Sequence, residues 1–150
     1  MTDSDDDDYR LLAVRTEIAE GRHREALDLL TEMTTRTAEE EAQQLVLSGQ
    51  AFEGLDDAER ARAAYSRARE LAPALAEPIL REAVLLYQRG DTQGARRLLR
   101  RYLQAEKGNP EAFYYLALCE SDPAERASSA RRLAILDGKG TWSRDLSRSL

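Results

Sequence analysis

The chain has 150 residues, a length that suits one domain of ordinary size better than two. Ala and Leu supply 45 of them and Val and Ile only six, and this shortage of β-branched side chains argues against an all-β or parallel α/β fold. The formal charge of −6 rests largely on Asp3, Asp5, Asp6, Asp7 and Asp8, without which the balance is −1, so the chain lacks the Lys and Arg surplus that a nucleic-acid backbone rewards.

One cysteine (Cys119) and one histidine (His23) exclude an internal disulfide and a zinc site of the usual ligand count. The start is the opposite of a basic signal-peptide region, and no run of about 18 apolar residues exists to cross a membrane, so the expectation is a cytoplasmic protein. Asp3, Asp5 and Asp7 alternate as in a calcium loop, but Asp8 and Val14 stand where that loop needs Gly and Glu. Residues 1–8 therefore read as an acidic disordered tail. Without a second His, a phosphate loop or a nucleophile elbow, the sequence offers no catalytic residues, no metal site and no cofactor, and the chain reads as non-enzymatic.

From the N-terminus onward, apolar spacing and punctuation predict helices near 9–20, 23–35, 38–53, 57–71, 77–88, 92–106, 110–121 and 123–137, with a ninth over 142–150. Gly21, Gly54 and Gly90 interrupt the pattern as helix C-termini prefer. Thr37-x-x-Glu40 and Asp56-x-x-Glu59 read as capping boxes, Asp91, Asn109 and Asp122 as N-caps, and Pro110 and Pro123 as first-turn prolines. Trp142, Leu146 and Leu150 give the last helix one apolar edge.

The chain overlays on itself at a spacing of 34 residues. Leu45, Gly49 and Phe52 fall on Ile79, Ala83 and Leu86, while Ala61, Tyr65 and Ala68 fall on Ala95, Leu99 and Tyr102. A further step reaches Phe113, Ala117, Ser129, Leu133 and Leu136. In the first unit Leu11, Val14 and Ile18 keep the spacing of 34, but Ala26, Leu30 and Met33 need 35, and Arg15 falls on Gly49.

With Leu45, Gly49, Phe52, Ala61, Tyr65, Ala68 and Pro73, residues 42–75 resemble the tetratricopeptide repeat (TPR) in spacing and residue class. The later units depart from it at Ala83, Tyr102, Lys107 and Glu120. The expected fold is all-α, a TPR-type α-solenoid of about four helical hairpins over 9–137 (units about 8–41, 42–75, 76–109 and 110–140), with a C-terminal capping helix over 141–150.

The resemblance implies a concave groove lined by the first helix of each hairpin. Its places fall on Gln43, Val46, Gln50 and Glu53, then Glu77, Leu80, Val84 and Tyr87, then Glu111, Tyr114, Leu118 and Ser121, and in the first unit on Tyr9, Leu12, Thr16 and Ala19. TPR domains that grip the acidic C-terminus of a chaperone use Lys, Arg and Asn at places held here by Gln50, Val84 and Leu118, so no carboxylate clamp is expected. Leu80, Val84, Tyr87, Tyr114 and Leu118 instead imply an apolar, aromatic patch rimmed by Glu53, Glu77 and Glu111. The expected function is a non-enzymatic adaptor or chaperone-like module that binds a partner peptide or helix through Val46, Gln50, Glu53 and that patch, as a monomer or weak homodimer. The alternative is a small bacterial secretion-type chaperone or assembly factor acting through self-association. Arg96, Arg97, Arg100 and Arg101 read as a solvated face, and no aromatic is interleaved among them for nucleic-acid bases.

Overall fold

The computed structural model describes residues 3–150, with side-chain surroundings from residue 6 onward. Among these residues are nine helices and no strand: α1 (Asp3–Ala19), α2 (His23–Glu32), α3 (Ala38–Gly54), α4 (Ala58–Leu71), α5 (Glu77–Gln88), α6 (Thr92–Ala105), α7 (Pro110–Cys119), α8 (Pro123–Asp137) and α9 (Thr141–Ser149). The chain divides into two compact units, Met1–Pro78 and Ile79–Leu150. Division of this kind is natural in repeat architectures, where each element packs mainly on its sequence neighbours.

In the N-terminal unit α1 packs on α2, α2 on α3 and α3 along α4. The contact between α3 and α4 is close because Gly49 has no side chain: a Cβ there would stand 2.7 Å from Cζ of the buried Tyr65. Ala61 and Ala68 lie fully buried on either side of Tyr65, which completes the small-large-small interlock. In the first hairpin Val14, Ala26, Leu30 and Met33 share a core cluster with Leu47 and Ala51. Arg15, aligned with Gly49 at a spacing of 34, is exposed, and its neighbour Val14 takes the inner place.

The helix starts are built as their sequences demand. Thr37 and Glu40 form a complete capping box. Asp91, Asn109 and Asp122 each accept a hydrogen bond from a first-turn backbone N–H, and Pro110 and Pro123 open α7 and α8. At α4 the cap is Asp57, accepting from the Arg60 N–H, and not Asp56. Asp56 instead takes a positive φ of 59° in the turn, a conformation that Asp tolerates better than most residues. Gly54 is small for another reason: the His23 ring lies where its Cβ would be.

The acidic start is helical rather than a disordered tail, since α1 begins at Asp3. The positive end of the helix dipole favours carboxylates in the first turns, so the Asp run supports the helix it begins. The Asp6 carboxylate also pairs with Arg10 one turn on, and that of Asp7 with Arg36. The calcium-loop spacing begins at Asp3 and Asp5, whose side chains lie outside the described set.

In the C-terminal unit α6 packs on α7, α7 on α8, and α9 lies against both α7 and α8. Ala117, Leu133 and Leu146 form the buried cluster under α9, so residues 141–149 form a helix that covers hydrophobic surface of the last hairpin. Two departures from the repeat pattern have local explanations. Tyr102, in a place for a small residue, is buried, and its hydroxyl is satisfied by a hydrogen bond from Asn109 Nδ2 at 2.8 Å. Glu120, in a place for a large apolar residue, is 3% exposed and pairs with Arg100 at 2.7 Å and Arg96 at 3.8 Å.

Candidate functional site

The expected apolar stripe is only partly a surface. Val46 is 2% exposed, Leu80 4% and Val84 8%, so these three belong to the core and not to an open patch. The reason lies in α5, where Ile79, Leu80, Ala83, Val84, Leu85 and Leu86 are all buried. Its apolar face covers most of the circumference and leaves only a narrow polar strip at Glu77, Arg81 and Gln88, and a helix of that kind is buried on most of its sides. Gln50 and Glu53 remain half-buried on α3, and the Glu53 carboxylate accepts the Tyr65 hydroxyl, which ties it to the α3–α4 pair.

Tyr87, Tyr114 and Leu118 are partly exposed. The three elements α5, α7 and α9 bring four rings together there. Tyr87 meets Tyr115 at 5.4 Å between ring centroids, Tyr115 meets Tyr114 at 5.0 Å, and Trp142 lies 5.1 Å from Tyr114 and 6.2 Å from Tyr115. The rings are tilted or edge-to-face, the arrangement that the aromatic quadrupole prefers, and all four keep part of their surface open to solvent. Leu118 and Phe113 pack on the Ala117–Leu133–Leu146 core, as do Tyr114 and Trp142.

Local structure holds this face in place. The Asn109 side chain accepts from the Glu111 N–H at 2.9 Å while donating to Tyr102, which fixes the start of α7 on α6. The Asp137 carboxylate accepts from the Ser143 N–H at 2.8 Å and occupies the space a Cβ on Gly140 would need. The first turn of α9, and Trp142 with it, is thereby anchored to the end of α8. Tyr115 and Trp142 were missing from the sequence-based stripe. Tyr115 lies one residue off that stripe, and Trp142 belongs to a helix beyond the repeats.

Burial, chiefly, and then neighbouring groups push the hydroxyls of Tyr115 and Tyr87 above the usual tyrosine range. At neutral pH both keep their protons and remain uncharged donors beside the rings. Burial likewise pushes the Cys119 thiol up to about 11, the opposite of an activated nucleophile. Among the described residues no group of three or more His, Cys, Asp or Glu side chains is placed to hold a metal ion, and no helix is long and apolar enough to cross a membrane. The face is suited to contact: large rigid rings, a few hydroxyl donors and little charge.

No protein-family model and no curated protein matches the chain in sequence. Solved structures do match it in shape. The first TPR of Spaghetti (RPAP3), bound to the HSP90 peptide SRMEEVD, superimposes with a TM-score of 0.68 at 11% identity, covering 77% of this chain and 98% of that one. Two crystal structures of MamA match with TM-scores of 0.67 and 0.68 at 15% and 16% identity, covering 93% and 87% of this chain and 77% and 72% of those. The chain has the TPR fold. Within that TPR fold, the four-ring face lies where helices of successive hairpins and the terminal helix α9 meet, while the Gly49–Tyr65 interlock is the part closest to the repeat pattern.

Proposed function

We propose that this TPR-fold chain is a non-enzymatic protein-binding adaptor, chaperone-like in holding a segment of another protein, and that Tyr87, Tyr114, Tyr115, Leu118 and Trp142 form its contact face. The supporting observation is the cluster of four partly exposed rings on α5, α7 and α9. Tyr and Trp contribute large contact area at little conformational cost, which is why they concentrate at the energetic centres of interfaces. A peptide bound to a TPR neighbour supports a protein or peptide as the ligand class. The lone, buried Cys119 is compatible with a reducing, cytoplasmic setting.

Trp142 is the single tryptophan, so its emission reports directly on this face. Peptides selected by display on the intact protein should shift that emission on titration, and Tyr114→Ala should weaken them by about tenfold or more while far-UV helicity is kept. Selected peptides that leave Trp142 emission unchanged and bind the Tyr114→Ala protein equally well would move the binding site elsewhere.

A further inference from the structure

Helix α1 buries one side and leaves the other bare. Val14 is fully buried, and Leu11 and Ile18 pack with it on the core of the first hairpin. The opposite side carries Tyr9, Leu12, Thr16 and Ala19, all exposed, with Tyr9 at 77% and Leu12 at 61%. These are the four places that the repeat register assigns to a groove in the first unit. Their spacing of three, four and three residues is that of the a and d positions along which two helices pair.

Charge beside the stripe selects what covers it. Residues seven apart lie within about 20° of each other around a helix, so Asp8 and Arg15 stand on one flank of the stripe. Both are exposed, and neither has an ion-pair partner among the described residues. Asp6 lies toward the other side, where Arg10 engages it, and takes no part. A flank with an acid at one end and a base two turns on is complementary to itself when two copies run antiparallel. Asp8 of each copy then faces Arg15 of the other, which puts the two-fold axis between Tyr9 and Leu12. In that register Tyr9 of each copy meets Leu12 of the other. A parallel pair would instead bring the two acidic starts of α1 together, and like charges set side by side repel. We propose that α1 is a self-association helix, whose Tyr9–Leu12–Thr16–Ala19 stripe pairs antiparallel with that of a second copy while Asp8 and Arg15 exchange ion pairs. The surface is independent of the ring face, which draws on α5, α7 and α9. A two-fold contact uses the same stripe of both copies, so association stops at the dimer. About three turns of each helix are covered, well short of a standard interface of about 1,600 Å², so the dimer is weak.

Sedimentation equilibrium on the full chain, from about 0.01 to 1 mM, tests this. The native protein should rise in average mass with concentration toward that of a dimer and no further. Leu12→Glu removes the apolar centre and should weaken association about tenfold or more. Asp8→Arg and Arg15→Asp each turn two attractions into repulsions and should each weaken it about fivefold. A 1:1 mixture of those two proteins should regain association, and so should a single chain carrying both substitutions, because opposite charges again face each other across the axis. All substituted residues are exposed, so unchanged far-UV helicity at low concentration is the expected folding control. Association indifferent to Leu12→Glu, or charge reversals that have no effect or are not rescued by each other, would overturn the antiparallel pairing. A native protein still monomeric at about 1 mM would overturn it as well and leave the stripe to a different protein.

Discussion

The two compact units keep to the same repeat to different degrees. Met1–Pro78 contains the hairpin closest to the repeat pattern, and there the pattern residues serve packing: Gly49 against Tyr65, with Ala61 and Ala68 beside it. Ile79–Leu150 departs from the pattern at Tyr102 and Glu120. Each departure brings a polar partner with it, Asn109 for Tyr102 and the Arg96–Arg100 pair for Glu120. The candidate ligand surface of this second unit, the ring face, draws on α5, α7 and α9. Adherence to the repeat therefore marks where helices approach each other, and each of these departures is matched by a polar partner from elsewhere in the unit.

The comparison breaks most directly at Leu80 and Tyr114, two residues that helical spacing alone assigns to one stripe. Leu80→Glu places a charge in a core position and should cost on the order of 4 kcal/mol, enough to abolish or severely weaken folding. Tyr114→Glu, at a half-exposed ring, should cost about 1 kcal/mol, the worth of its aromatic contacts, and keep helicity. Urea unfolding followed by circular dichroism separates the two. Equal losses would mean that the ring face is core as well.

Next in size is Gly49→Leu in the N-terminal unit. The Tyr65 ring is fully buried and already occupies the space of a Cβ, so the new side chain must push α3 and α4 apart. The expected loss is about 1–3 kcal/mol, seen as a lower thermal midpoint. A neutral outcome would remove the packing explanation for fidelity in this unit.

Much of the fold was legible because turn chemistry and apolar spacing agree along most of the chain. Thr37, Asp91, Asn109 and Asp122 each mark a helix start through bonds local in sequence, and Pro110 and Pro123 through their fixed φ at the first turn. The site was legible only in part. Tyr87, Tyr114 and Leu118 could be read from helix position, but whether a stripe stays open depends on how many sides of its helix are covered. For α5 spacing shows a broad apolar face and a polar strip at Glu77, Arg81 and Gln88, but not how much of that face its neighbours cover. Tyr115, Trp142 and the Arg96–Arg100–Glu120 group are joined by contacts between helices, which no single-helix pattern records. The composition of the Asp run suits both a solvated tail and a helix start, and the α1 backbone is helical from Asp3.

The smallest expected effect concerns alkaline pH and again sets one unit against the other. Cys119 and the two tyrosines with raised hydroxyl values, Tyr87 and Tyr115, all lie in Ile79–Leu150. An ordinary thiol ionises near 9.0, while burial holds that of Cys119 up at about 11. The unfolded chain thus releases this proton at lower pH than the folded one. Stability is unaffected below 9.0 and declines as the pH rises from 9.0 to about 11, with the tyrosines acting in the same direction at higher pH. Trp142 emission reports on this unit alone, so it should change at lower pH than the far-UV signal, to which both units contribute. Cys119→Ala removes the thiol proton and should shift the Trp142 transition upward in pH. An identical pH profile for the native and Cys119→Ala proteins would assign alkaline sensitivity to groups other than the buried thiol.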